Sequence, residues 1–116
     1  EKQLMSLLSI LLENASKYAY EETSITVKLK REQSKIKFEI NNYGPVIPKN
    51  DIAHIFERFY RVDKSRNKEH GGYGLGLSIA KKITDENNMK ISVESSVEKG
   101  TTFKVVMNAA DVKNPQ

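Results

Sequence analysis

The chain has no cysteine and no tryptophan, which excludes disulfides, thiolate nucleophiles and cysteine-based zinc sites. Histidine is scarce as well. Neither His54 nor His70 has the partner array that a metal centre or a catalytic triad requires, so nucleophilic hydrolysis finds no support. His54 lies in a short amphipathic stretch and reads as a surface residue; His70 precedes two glycines and reads as solvated. No apolar run reaches membrane-spanning length, and the N-terminus lacks a signal-peptide pattern. The net charge of +4 suits an anionic ligand such as a nucleotide. It falls short of the dense basic stripe of a nucleic-acid binder, and no nucleic-acid partner is expected. Internal repeats and low-complexity segments are absent too.

What is present describes one globular domain with a modest core: 116 residues, 38% hydrophobic and 29% charged. The chain opens in a helical pattern without an initiator methionine, as expected of a fragment excised from a longer protein, and a cytoplasmic, non-inserted domain is the simplest expectation. From Glu1 to Tyr18, Leu4, Leu7, Leu8, Leu11, Leu12 and Ala15 recur at helical spacing, and Ile10 widens the stripe. Thr23 to Glu32 then alternates, with Ile25, Val27 and Leu29 on one face. Lys35 to Ile40 repeats this with Ile36, Phe38 and Ile40 inward, predicting a hairpin whose lysines form a solvated face. Asp51 to Tyr60 reads as a short helix on Ile52, Ile55, Phe56 and Phe59. Arg61 to Gly74 reads as a polar loop, long enough for a compact domain to keep it for function. A helix over Leu75–Asn87 and strands over Lys90–Ser95 and Thr101–Met107 complete a domain ending near residue 107. A polar tail follows from Asn108 to Gln116. Helices beside antiparallel pairs predict an α+β two-layer sandwich.

Three stretches hold candidate chemistry. Asn41-Asn42-Tyr43-Gly44-Pro45-Val46-Ile47-Pro48 is stiff and turn-forming, placed at a strand end where ligand sites often sit, though such clusters also serve as plain connectors. Gly71-Gly72-Tyr73-Gly74-Leu75-Gly76-Leu77 runs glycine-rich backbone into a helix start. There, free N–H groups and the helix dipole suit phosphate oxygens, and a glycine hinge for a mobile loop is the competing reading. Neither a Walker loop nor a dinucleotide fingerprint fits its spacing. Asn14 sits on a helix otherwise devoted to burial, where its carbonyl oxygen could ligate Mg²⁺. Lys17, one turn on, could meet a phosphate. Against this stands an ordinary Glu13–Lys17 ion pair with Asn14 marking a helix end.

Taken in order, four blocks resemble the N, first glycine, F and second glycine boxes of the catalytic domain of bacterial sensor histidine kinases. They are Leu11-Leu12-Glu13-Asn14-Ala15-Ser16-Lys17-Tyr18, Asn42 to Pro48, Ile55-Phe56-Glu57-Arg58-Phe59-Tyr60-Arg61-Val62-Asp63, and Gly72 to Leu77. The resemblance covers about Leu4 to Met107. It implies the Bergerat ATP-binding fold shared with gyrase-type ATPases, with helices on one face of a mixed sheet and ATP under a mobile lid. By that resemblance Asn14 would ligate Mg²⁺, and Lys17 and Tyr18 would reach the phosphates. Arg61 and Arg66 would contact phosphate at the lid's start, with Asn14, Lys17 and Arg61 carrying the catalytic role. Gly72, Tyr73, Gly74, Leu75, Gly76 and Leu77 would cradle the phosphate tail. Asn42, Gly44 and Ile47 would wall the adenine, with Thr101 supporting that pocket.

Two departures stand in the first glycine box: Asn42 occupies the position of the usual Asp, and Val46 replaces a glycine. Ile10 also stands where many members place an additional Asn. An amide carbonyl still accepts from the adenine amino group, but without charge assistance. The family's acceptor histidine lies on a separate dimerisation helix, and neither His54 nor His70 has its context. The resemblance therefore implies a Mg-ATP-dependent protein-histidine kinase domain. It would serve the dimerisation and phosphoacceptor domain of the same kinase and, indirectly, a response regulator. The parent protein would be anchored in a bacterial inner membrane. The alternative is a nucleotide-binding module with weakened or lost catalysis, acting in sensing or interaction.

Overall fold

The computed structural model describes residues 2–58 and 72–109. In chain order the elements are α1 (Lys2–Tyr18), β1 (Thr26–Glu32), β2 (Lys35–Asn42), α2 (Lys49–Ile52), α3 (Gly72–Glu86), β3 (Lys90–Ser96) and β4 (Gly100–Asn108). The strands form one sheet in the order β1-β2-β4-β3, and every pairing is antiparallel. The two-layer α+β class is as expected. The mixed sheet is not: among the described residues no parallel pair occurs, because β1–β2 and β3–β4 are hairpins and the crossover through α3 sets β3 beyond β4 rather than against β2.

The core lies between the helices and the inner face of β2, β4 and β3. Leu7, Leu11 and Ala15 of α1, spaced four apart, meet Leu77, Ala80 and Ile83 of α3 above Phe38, Ile40, Val93, Phe103, Val105 and Met107. The predicted stripe on α1 is narrower than its apolar residues suggest. Leu12 remains 43% exposed, and Met5 points outward as well.

β1 departs further from expectation. All seven of its residues are exposed, and Leu29, predicted to face inward, is 73% exposed. Its register explains this. Val27 pairs with Ile40 and Leu29 with Phe38, so the apolar face does lie on the core side. As the edge strand, β1 simply extends past the span that the two helices cover.

The stretch after Pro48 is also not the helix predicted from Asp51 to Tyr60. After one turn of α2 the backbone closes in steps of three: His54 N–H donates to Asp51 C=O and Glu57 N–H to His54 C=O, both at 2.9 Å. That spacing keeps Ile52 and Ile55 on one side as a helix would, so the apolar pattern could not separate the two. Ile55 is fully buried, and Phe56 meets Phe103 edge-on with centroids 6.1 Å apart. Phe59, Tyr60, most of the predicted loop, including Arg61, Arg66 and His70, and nearly all of the C-terminal tail lie outside the described residues.

Candidate nucleotide site

The inner face of the sheet changes chemistry at one end. Along β2, β4 and β3 successive inward rungs are Phe38–Val105–Ile91, then Ile40–Phe103–Val93, then Asn42–Thr101–Ser95. The first two rungs belong to the core, whereas the last is polar although Asn42 is only 3% and Thr101 only 6% exposed. Buried polar groups need partners. Two of the three find them: Ile47 N–H donates to Ser95 Oγ at 2.9 Å, and the hydroxyls of Ser95 and Thr101 share a hydrogen bond of 2.6 Å. The Asn42 amide has no hydrogen-bond partner among the described residues. No fully enclosed side-chain nitrogen or oxygen there is unsatisfied, so this amide keeps a path to the outside. Asn42 is thus the closing residue of β2, and the turn-forming stretch proper starts at Tyr43.

Two backbone approaches bring the end of α1 to this rung. Tyr20 N–H donates to Tyr43 C=O at 2.7 Å. Gly44 lies so close to α1 that an added Cβ would overlap the Tyr18 carbonyl oxygen, and the same point is 3.2 Å from Asn42 Nδ2. Across the sheet, Gly100 adopts φ +78°, the left-handed region that favours glycine, and a Cβ there would stand 2.6 Å from the Asn42 carbonyl oxygen. Ile47, assigned to the adenine wall, is 3% exposed and packs within the core. Its backbone N–H rather than its side chain reaches the polar rung.

A cavity of about 400 Å³ opens between α1 and α3, lined by Ile10, Glu13, Asn14, Ser16 and Lys17 on one side and Gly76 and Leu77 on the other. The Glu13–Lys17 ion pair weighed from sequence does not form. Among the described residues neither side chain has a charged partner, and the Asn14 amide makes no hydrogen bond. Three polar groups on adjacent turns are therefore left to face the same space. α3 starts at Gly72, three residues before the sequence reading placed it, so the glycine segment is the opening of the helix rather than its approach. The N–H groups of its first turn have no partners within the helix. The side chains of Tyr73 and Leu75 lie outside the described set. Gly76 faces α1 with room to spare, since a Cβ would meet Ile10 Cγ2 at an ordinary 3.7 Å.

His54 is exposed, with Nδ1 2.8 Å from Glu57 Oε2. Among the described residues no group of His, Asp and Glu side chains could hold a metal by itself. That composition suits Mg²⁺ carried mostly by phosphate and water with a single protein oxygen, the role open to Asn14. Sequence reasoning missed Ser95, which period-two alternation from Ile91 and Val93 would have turned inward. It also missed Glu13 and Ser16 as cavity residues.

Comparison with known proteins bears on the family and the fold. Residues 1–111 match the family described as histidine kinase-, DNA gyrase B-, and HSP90-like ATPase. The chain is 48% identical over 103 residues to the signal transduction histidine-protein kinase ArlS of Staphylococcus epidermidis, covering 89% of this chain and 23% of that protein. ArlS of Staphylococcus aureus strain USA300 is 45% identical over 104 residues, covering 90% of this chain and again 23% of the relative. The chain thus spans under a quarter of the length of these curated relatives. Among solved structures, the mycobacterial sensor histidine kinase MprB superposes with a TM-score of 0.80 at 25% identity, over 92% of this chain and 72% of that one. The nucleotide-free catalytic domain of histidine kinase ThkA gives 0.77 at 28% identity, over 93% and 67%.

Proposed function

Because the chain belongs to the histidine kinase-, DNA gyrase B- and HSP90-like ATPase family, we propose that it binds Mg-ATP and presents the γ-phosphoryl group to a histidine on a separate dimerisation helix of the same sensor kinase. The observation that carries this reading is the convergence of Asn14 and Lys17 of α1 with Gly76 and Leu77 of α3 on one cavity, together with an Asn42 amide that has no hydrogen-bond partner among the described residues at the end of the core. Lys17 and the first-turn N–H groups of α3 hold the phosphates, one as a point charge and the others as aligned donors. Asn42, Thr101 and Ser95 hold the base, with Gly44 allowing the loop to close against α1. Arg61 and Arg66, outside the described residues, are assigned to the phosphates by the resemblance alone.

Mg²⁺ would neutralise charge on the phosphate oxygens, and Asn14, which lines the cavity, would hold it through its carbonyl oxygen. The chain's own contribution is positioning: it fixes the nucleotide by its base and its phosphates and leaves the γ-phosphorus open to an in-line acceptor. No covalent intermediate on this domain is needed. His54 lies on the exposed surface with Nδ1 2.8 Å from Glu57 Oε2, and the acceptor is assigned instead to the separate helix.

The test joins this domain to its dimerisation helices and follows label from γ-labelled ATP. Acid-labile, base-stable phosphate on the dimerisation helix, lost on removing Mg²⁺, is the expected result. ATP binding without any such transfer would leave a binding module and overturn the kinase reading. In the parent protein this domain would act in the cytoplasm behind a membrane-anchored sensor and serve a response regulator indirectly.

A further inference from the structure

The polar rung has a property that the nucleotide reading alone does not use: none of its groups has a fixed hydrogen-bonding sense. A primary amide carries an acceptor and a two-proton donor on one planar end, and turning it by half a revolution exchanges them without changing its shape. Nothing among the described residues locks the Asn42 amide in either orientation. Its neighbours are rotors too. Ser95 Oγ accepts from Ile47 N–H, and in the 2.6 Å bond between Ser95 and Thr101 either hydroxyl can be the donor. No charged side chain belongs to this rung, so no member is restricted to accepting.

A purine offers this wall one of two patterns. A 6-amino purine presents an N–H donor at position 6 beside a ring-nitrogen acceptor, whereas a 6-oxo purine presents an acceptor at position 6 beside a ring N–H donor. One amide orientation complements each. A carboxylate at the same place could only accept, and would face the 6-oxo oxygen with nothing to give it.

We propose that Asn42 makes this a two-way purine site, taking 6-oxo nucleoside triphosphates such as inosine triphosphate alongside ATP. The proposal rests on reading the polar rung as the base-binding wall, and the experiment separates the two. ATP and inosine triphosphate are titrated, each with Mg²⁺, into the unaltered chain and into Asn42→Asp, with melting temperatures confirming that both fold. Inosine triphosphate is the informative probe because it lacks the 2-amino group of guanine and so isolates position 6. The unaltered chain binds the two nucleotides within about fivefold of each other. Asn42→Asp separates them by roughly tenfold or more, because the charged acceptor strengthens the contact with the amino group and leaves the oxo group unsatisfied. Rejection of inosine triphosphate by the unaltered chain while ATP binds overturns the proposal without any variant. Asn42→Asp binding both nucleotides as the unaltered chain does also overturns it and removes Asn42 from the base wall. Failure of ATP to bind the unaltered chain overturns the nucleotide reading itself.

Discussion

At Gly44 a single added carbon would overlap the backbone oxygen of Tyr18 and press on the Asn42 amide. The Tyr18 carbonyl cannot yield without moving the end of α1 away from the loop. Gly44→Ala is expected to lower stability by about 1–3 kcal/mol, the usual cost of overpacking. It should weaken nucleotide binding at the same time; urea unfolding and a binding titration on the same protein measure both. Gly76 is the contrasting case. Its Cβ position is 3.7 Å from Ile10, so Gly76→Ala should fold as well as the parent or better, alanine being the stronger helix former by roughly 1 kcal/mol. A drop in melting temperature would show that α1 and α3 approach more closely than described. Asn14 makes no hydrogen bond within the described residues and lines the cavity, so Asn14→Ala should leave the melting temperature nearly unchanged while removing the Mg²⁺ dependence of ATP binding. Asn14 and Lys17 were legible from their places on the helix. Ser95 was legible only in principle, because alternation shows which way a residue faces but not that two other strands will set polar partners beside it.

Between elements, β1 and β2 look equivalent in sequence, each alternating apolar and charged residues, yet they carry unequal energies. Phe38 on β2 is 8% exposed and its cross-strand partner Leu29 on β1 is 73% exposed. Phe38→Ala should therefore cost about 3–5 kcal/mol, whereas Leu29→Lys should fall within roughly 0.5 kcal/mol of the parent. Denaturant unfolding of the two variants decides between this arrangement and one in which β1 is covered. The same hairpin carries a pH dependence. Glu32 sits 3.0 Å from Lys37, whose hydrogen bond and charge hold the Glu32 carboxyl below the usual glutamate range. A depressed carboxyl favours the fold above its ordinary pKa, and that contribution is lost as the pH falls through the lowered value. Glu32→Gln should flatten the acid side of the stability profile slightly, since the group is fully exposed and screened.

On the scale of the whole molecule, phosphate acceptance is expected to lie outside this chain. The isolated chain should bind ATP and incorporate no phosphate on His54 or His70; acid-labile labelling of either at the rate of the complete kinase would refute this. The sequence by itself determined the order of elements, most of the apolar stripe of α1, the inward face of β2 and the four blocks that mark the family, because periodicity and local residue chemistry act over a few positions; on α3, where Leu75, Ile79 and Ile83 read as one line, Ile79 is 46% exposed and Leu77 and Ala80 are buried instead. It also singled out Asn14, Asn42 and Thr101 as candidates, through their resemblance to the family's boxes. Only the tertiary structure decided that β1 lies bare at the edge, that α3 begins within its glycines, that Glu13 and Lys17 face a cavity instead of each other, and that Asn42, Thr101 and Ser95 form one rung. The physical reason is common to the first, third and fourth. Each depends on what stands opposite a residue from a distant part of the chain: a helix that stops short of β1, a second helix across a gap, or strands in a particular register. A local pattern specifies which side a residue turns, and packing alone specifies what it meets there.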